Sequence, residues 1–161
     1  MKLIGVGLTV LALAGSALGC AGGPAPQGPD AAASRAADLA ALAFLEGRWS
    51  GTGPDGKTFF EQYDFPSAGT MRSRRFADRT FGAASDGSLV SVQDGAVVSR
   101  WGEFSWRASD LRPGYARFEP VNAPGAFSWR RVNDDSVEVV QSWTNADGAP
   151  QSYTMMLKRV R

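Results

Sequence analysis

Histidine is absent from this sequence of 161 residues, and cysteine occurs only once, at Cys20. Without histidine the chain cannot form a Ser-His-Asp or Cys-His catalytic arrangement, and it lacks the side chain that most often binds metals. A single cysteine has no partner for a disulfide within the chain. We therefore expect no metal, no cofactor and no enzyme of these classes.

Lysine is also scarce, because the 17 basic residues comprise 3 lysines and 14 arginines, against 16 acidic residues. The formal net charge of the whole chain is +1. A nearly balanced charge does not provide the broad positive surface that attracts nucleic acid. We therefore expect no nucleic-acid partner.

The N-terminus carries an apolar stretch, residues 3–14, that is shorter than the roughly 20 residues of a membrane-spanning helix. It follows a lysine and leads to small residues, which is the order of a secretory signal peptide. The four residues 17–20, Ala-Leu-Gly-Cys, resemble a bacterial lipobox, although Ala17 stands where leucine is usual. The alternative is an ordinary signal peptide with a chance cysteine.

The lipobox resemblance implies that residues 1–19 are removed and that Cys20 is lipidated. Lipidation also accounts for an exported thiol that has no disulfide partner. We therefore expect an exported protein held in a membrane through Cys20, at the outer membrane and facing the periplasm.

Residues 20–29 are rich in glycine, proline and alanine and show no helix or strand periodicity, which is typical of a flexible tether. The remaining residues, 30–161, suffice for one domain. This domain begins with an alanine-rich run in which leucines recur at three-residue steps, between a capping residue, Asp30, and Gly47. We expect one α-helix there, over roughly residues 31–45.

Beyond this helix, turn-forming residues recur every 8 to 12 positions, with aromatic and β-branched residues between them. The pattern predicts strands at 48–52, 57–65, 70–77, 88–93, 96–101, 103–108, 114–119, 126–132, 136–144 and 151–160. Tight turns between successive strands favour a single antiparallel up-and-down barrel of 8–10 strands, because closure leaves no exposed sheet edge. A sandwich is the alternative, but its crossed connections need longer loops.

Successive side chains of a strand point to opposite faces, which identifies the residues expected to face the barrel interior. Mostly apolar walls with a few polar groups favour a pocket for a small apolar or amphiphilic molecule. A filled core in which Glu61 simply pairs with Arg75 is the alternative. The residues that we expect to contact a ligand are Glu61, Tyr63, Met71, Ser73, Arg75, Gln141, Trp143, Tyr153 and Met155.

Trp49 has a different expected role, because glycines surround it at positions 47, 51 and 53. Glycines allow close backbone approach, so a large ring can lie across the end of a small barrel. We expect Trp49 to close one end of the barrel next to the helix rather than to contact a ligand.

The segment LAFLEGRWSGTG, followed by FFEQYDFPSAGTMRSRRF, resembles the opening of lipocalin-like (calycin-type) domains of unknown function in bacterial secreted proteins and lipoproteins. Those domains start with Leu-x-Gly-x-Trp-x-Gly, and the end of this chain, from Asp135, is similar to their closing hairpin. The residues that match their second motif are Glu61, Tyr63, Pro66, Gly69 and Met71, while Ala68 replaces a glycine. The resemblance implies a lipocalin-like barrel over about residues 42–160.

This chain departs from that family where residues 118–124 stand in place of a segment that often contains histidine. Nitrobindin-type barrels, which open similarly, hold haem iron through a histidine. Haem binding here would need a tyrosine or methionine ligand, so we expect none.

Two other functions stay open at this point. A filled barrel would suit a non-enzymatic envelope interaction module that presents arginines to a partner, namely Arg72, Arg74, Arg130 and Arg131. A histidine-free acid/base enzyme would work through Glu61, with Asp64 and Glu103 as further carboxylates in aromatic surroundings.

Overall fold

The structure is a computed structural model that describes residues 39–161. The expected signal peptide, residues 1–19, and the expected tether with the lipidation site, residues 20–29, lie outside the described residues, as do residues 31–38 of the predicted helix. Within the described range, no helix is long and apolar enough to cross a membrane.

The described chain begins with Leu39 and Ala40 in helical conformation, followed by a turn and a 3-10 helix, Ala43–Leu45. The prediction of an α-helix that continues to Leu45 is therefore wrong. The backbone bonds here span three residues, with Leu42 N–H donating to the Leu39 carbonyl at 3.0 Å and Leu45 N–H to that of Leu42 at 2.9 Å. Side chains three residues apart lie on the same side of such a helix, so all three leucines are buried.

Ten strands follow, and each overlaps one of the predicted strands. They are β1 (Gly47–Thr52), β2 (Thr58–Ser67), β3 (Thr70–Phe76), β4 (Ala84–Gln93), β5 (Ala96–Trp101), β6 (Phe104–Arg112), β7 (Tyr115–Pro120), β8 (Gly125–Asn133), β9 (Ser136–Thr144) and β10 (Pro150–Arg159). The turns explain their spacing. In the turn between β4 and β5, for example, Asp94 and Gly95 have φ angles of 46° and 78°, which a tight hairpin turn requires.

The strands form one closed antiparallel barrel in which each strand pairs with the next along the chain. Closure is made by β1 and β10, where Trp49 pairs with Arg159 and Ser50 with Lys158. The prediction of an up-and-down antiparallel barrel is thus confirmed, and the sandwich alternative is excluded.

The two ends of the barrel differ. We call the end that contains the 3-10 helix Ala43–Leu45 the closed end, and the opposite end, with the β5–β6 and β7–β8 turns, the open end. Near the closed end the interior is filled by fully buried apolar side chains, which include Met71, Val90 and Val137. Burial of each such side chain stabilises the fold by about 1.5–3 kcal/mol.

Trp49 lies in this filled region and is 0% exposed. Its indole Nε1 donates to the carbonyl of Leu45 at 2.6 Å, which joins β1 to the 3-10 helix. The guanidinium carbon of Arg159 lies 4.1 Å from the centroid of the ring, and this arginine also donates to the carbonyl of Glu46 at 2.8 Å. Both ends of the described chain therefore meet at Trp49.

Candidate functional site

The interior near the open end is not filled and contains a cavity of about 510 Å³. Residues from eight of the ten strands line it, and its volume lies within the range of small-molecule sites in proteins, about 300–1,000 Å³. At its mouth Trp101 and Trp143 are 45% and 41% exposed, so the cavity opens to solvent between aromatic rings.

One side of the cavity is an aromatic wall, formed by Trp101, Phe104, Trp106, Phe127, Trp129 and Trp143. Neighbouring rings are in contact from the mouth inward. The ring centroids of Trp101 and Phe104 are 6.1 Å apart, those of Trp106 and Phe127 are 5.5 Å apart, and those of Phe127 and Trp129 are 4.9 Å apart. Four of the five tryptophans in the sequence therefore line this cavity.

The β5–β6 hairpin and Gly125 together place the outer part of this wall. Trp101 and Phe104 are paired across the turn, so they share a face, and Trp106 follows two residues later on the same face. The indole Nε1 of Trp106 donates to the carbonyl of Gly125 at 2.6 Å. A Cβ atom on Gly125 would overlap the carbonyl oxygen of Ser142, so the strands approach this closely only because the residue is glycine.

The other side of the cavity carries a polar cluster of Glu61, Tyr63 and Arg75. Glu61 and Arg75 are directly opposite each other on β2 and β3. Arg75 donates from Nη2 to Glu61 Oε1 at 2.6 Å and from Nε to the same oxygen at 3.2 Å. The hydroxyl of Tyr63 donates to Glu61 Oε2 at 2.5 Å, so both carboxylate oxygens are engaged. The ring of Tyr63 reaches across the barrel to that of Trp129, at 6.0 Å between centroids.

Burial and charge both act on the protonation of this cluster. Burial raises the pKa of the Tyr63 phenol well above its usual value, and the adjacent Glu61 carboxylate raises it further. Tyr63 therefore stays neutral and keeps its donor proton. Desolvation opposes the charged form of Arg75, but the charge and hydrogen bonds of Glu61, together with the nearby Asp86, outweigh it, and the pKa of Arg75 is raised.

Hydroxyl groups continue the polar side beyond this cluster. The Oγ atoms of Ser73 and Ser88 lie 2.7 Å apart on β3 and β4, and Ser88 N–H donates to Ser73 Oγ at 3.0 Å. Ser99 on β5 also lines the cavity and is almost fully buried. Asp86, at the rim, is exposed and pairs in register with Arg75.

Seven of the nine predicted ligand contacts line the cavity, and two do not. Met71 is fully buried in the filled region near the closed end, because its partner in register, Val90, packs there with it. Tyr153 lies beside the cavity, and its hydroxyl donates to the carbonyl of Thr52 at 3.3 Å. That the lining residues contact a ligand stays a prediction. The seven are Glu61, Tyr63, Ser73, Arg75, Gln141, Trp143 and Met155.

Most of the aromatic wall was missing from the sequence prediction, although one signal for it was present. Trp101, Phe104 and Trp106 alternate on both sides of the short Gly102-Glu103 turn, which places all three rings on one face. No comparable local signal identifies Phe127, because its contribution depends on the pairing of β8 with β9.

None of the other charged candidates lines the cavity. On the outer face Arg72 forms a two-point contact with Asp64, at 3.0 and 2.6 Å, and this contact lowers the pKa of Asp64. Arg130 forms a two-point contact with Glu138, and Arg131 forms an ion pair with Asp134. Glu103 lies in the β5–β6 turn. Among residues 39–161 no group of three or more acidic or other metal-ligating side chains is arranged to hold a metal.

Comparisons with known proteins leave the family open. No protein-family model matches the chain, and no curated protein matches it either. Several solved structures are similar to it, and two of them are described here. One is EF1p2_mFAP2b bound to DFHBI, at 17% identity and a TM-score of 0.39 over 79% of this chain and 98% of that one. The other is a redesigned beta barrel, b11L5F_LGL, at 15% identity and a TM-score of 0.36 over 75% of this chain and 96% of that one.

Proposed function

We propose that this protein is an exported, lipid-anchored member of the lipocalin-like barrels that binds a small apolar or amphiphilic molecule. The barrel holds the molecule in its open-end cavity, and the lipid on Cys20 keeps the protein at the outer membrane, facing the periplasm. The signal-like N-terminus and the lipobox support the anchoring, and the opening motif around Trp49 supports the lipocalin-like family.

The observation that carries the binding role is the division of the barrel interior into a filled half and an empty half. A cavity of about 510 Å³ lined by six tryptophan and phenylalanine rings exposes apolar surface that a purely structural barrel would bury. The Glu61–Arg75–Tyr63 cluster adds a fixed polar group at one side, which orients an amphiphile. The same division argues against the interaction module, which requires a filled interior.

Native mass spectrometry of the protein purified gently from its own host tests this function. We expect a mass above that of the bare chain, with the excess lost on denaturation. A protein that carries no added mass and binds none of a panel of small amphiphiles would overturn the proposal.

Replacement of Ser99 by leucine should obstruct the cavity, because Ser99 points into it from β5 between Trp101 and Trp106. We expect the affinity for a retained or added amphiphile to fall by about tenfold or more, which corresponds to roughly 1.4 kcal/mol. Isothermal titration measures the affinity, and a thermal melt shows whether the larger side chain also destabilises the fold, by about 1–3 kcal/mol.

The matched control is Ser152→Leu, which makes the same change on the exposed face of β10. It should leave the affinity unchanged. If Ser99→Leu binds as well as the unaltered chain, the cavity is not the binding site.

Replacement of Cys20 by serine should release the protein from membranes, because no thiol remains to accept the lipid. We expect the protein in the soluble fraction after cell disruption, whereas the unaltered protein sediments with the membranes. Ser16→Ala, a substitution before the cleavage site, is the matched control and should leave the protein in the membrane fraction. Unchanged membrane retention of the Cys20→Ser protein would contradict the anchor.

A further inference from the structure

We propose that the open-end cavity selects a positively charged amphiphile, in which an organic ammonium or related cation is attached to a flat apolar body. This inference rests on the proposed binding function and names the chemical class of its ligand. It follows from the ionisable groups that line the cavity, from the bonds these groups already make and from the aromatic faces opposite them.

The cavity lining has an excess of negative charge. Its formally charged side chains are two carboxylates, Glu61 and Asp86, against one guanidinium, Arg75, which leaves a formal charge of −1. Tyr63 adds no charge, because its phenol stays protonated. Glu61 is the most enclosed of the charges, since its side chain is 13% exposed. An anionic ligand would therefore bring a third negative charge into a partly desolvated site.

Arg75, whose charge is already included in this sum, is engaged by groups of the protein itself. Its Nε and Nη2 groups both donate to the same oxygen of Glu61, and its guanidinium carbon lies 4.6 Å from the centroid of the Phe59 ring. Asp86 is its partner in register on the next strand. The charge of Arg75 is thus opposed on two sides by carboxylates of the protein itself.

The aromatic wall provides a second attraction for a cation, in addition to that of the carboxylates. The face of an aromatic ring carries negative electrostatic potential, and tryptophan attracts cations most strongly. Trp101, Trp106 and Trp143 line the outer part of the cavity, and the indole N–H of Trp106 is already bound to the Gly125 carbonyl. The face of the Trp106 ring is therefore what this residue presents to a guest, and the rings of Trp101 and Trp143 lie beside it in the cavity lining. A flat apolar body also stacks on them.

The experiment compares three probes that share one ring system and differ in charge: 1-naphthylmethylammonium, 1-naphthylmethanol and 1-naphthylacetate. Isothermal titration with the mature chain, residues 20–161 with Cys20→Ser, gives the three dissociation constants at low ionic strength. We expect the ammonium to bind about tenfold more tightly than the alcohol, and the acetate to bind most weakly. Added salt should reduce the difference, since charge attraction near the mouth is screened.

Substitutions of the two carboxylates test which groups cause the preference for the ammonium. Glu61→Gln and Asp86→Asn should each reduce the difference in affinity between the ammonium and the alcohol. Because Asp86 is exposed, Asp86→Asn remains informative even if the Glu61→Gln variant does not fold. The matched control is Asp94→Asn, which removes the same charge from the β4–β5 turn outside the cavity. Asparagine accepts the positive φ of that position, so this variant should keep the full preference.

The other outcomes separate the two proposals. If the alcohol or the acetate binds as tightly as the ammonium, the charge preference is wrong while the binding function stands. An ammonium advantage that survives both carboxylate substitutions would also overturn it. If none of the three probes binds, the charge preference fails, and the binding function fails with it only when the protein purified from its host also carries no added mass.

Discussion

Replacement of Trp49 by alanine should lower the free energy of unfolding by about 3–5 kcal/mol, the range for a large aromatic side chain removed from a packed interior. The ring is fully buried, and its indole N–H satisfies the carbonyl of Leu45. The substitution would leave a cavity in the core cluster that also contains Met71 and Leu157, and it would remove the surface on which Arg159 lies. Denaturant unfolding followed by circular dichroism measures the loss.

The matched control for this prediction is Trp101→Ala, which deletes the same side chain where it is 45% exposed at the cavity mouth. We expect a loss of about 1 kcal/mol or less there, because little enclosed volume is vacated. Equal losses at the two positions would show that Trp49 does not hold the closed end together.

The barrel could be predicted from sequence because its determinants are local. Asp94-Gly95 and the other tight turns separate the strands, and the alternation within β2 and β3 places Glu61, Tyr63 and Arg75 on one face. Once ten strands are joined by short turns, closure is the arrangement that leaves no edge unpaired. These signals depend on neighbours in sequence, so a single sequence contains them.

The prediction was wrong where two local structures share one pattern. Leucines at positions 39, 42 and 45 fit one face of an α-helix, but they fit a 3-10 helix better, since its repeat is three residues. In the structure the carbonyl of Leu45, at the end of this segment, accepts a side-chain hydrogen bond from the Trp49 indole. Predictions from helix propensity do not take such a hydrogen bond into account.

The sequence also does not show where the filled half of the barrel interior ends and the cavity begins. Met71 and Ser73 lie on the same face of β3 and two residues apart, yet Met71 is in the filled core and Ser73 lines the cavity. The difference is their height along the barrel, which is set by the register of all ten strands. In the same way, Phe127 and Trp129 of the aromatic wall are placed by pairing between strands that are distant from β2 and β3.

The fold should also lose stability in alkali because of Tyr63. Its pKa is raised by burial and by Glu61, so the folded protein keeps this phenol proton when an unfolded chain, with a tyrosine pKa of about 10, has lost it. Stability is therefore fully present below pH 10 and falls as the pH rises from there towards the folded pKa. Between pH 10 and the folded pKa, the expected slope is roughly 1.4 kcal/mol for each pH unit.

Tyr63→Phe removes the titrating group and should abolish this part of the alkaline loss of stability. At neutral pH the same substitution removes the hydrogen bond to Glu61. Because the acceptor is charged, this loss should cost about 1.5–3 kcal/mol. The unaltered protein is thus the more stable of the two at pH 8, and the difference narrows above pH 10. Tyr153→Phe, on β10, is the control and should keep the slope, since Tyr63 is still present. Denaturant unfolding at several pH values measures the free energy of unfolding of each protein. If this free energy changes with pH in parallel for the unaltered and Tyr63→Phe proteins, the Tyr63 phenol ionises as readily in the folded protein as in the unfolded chain.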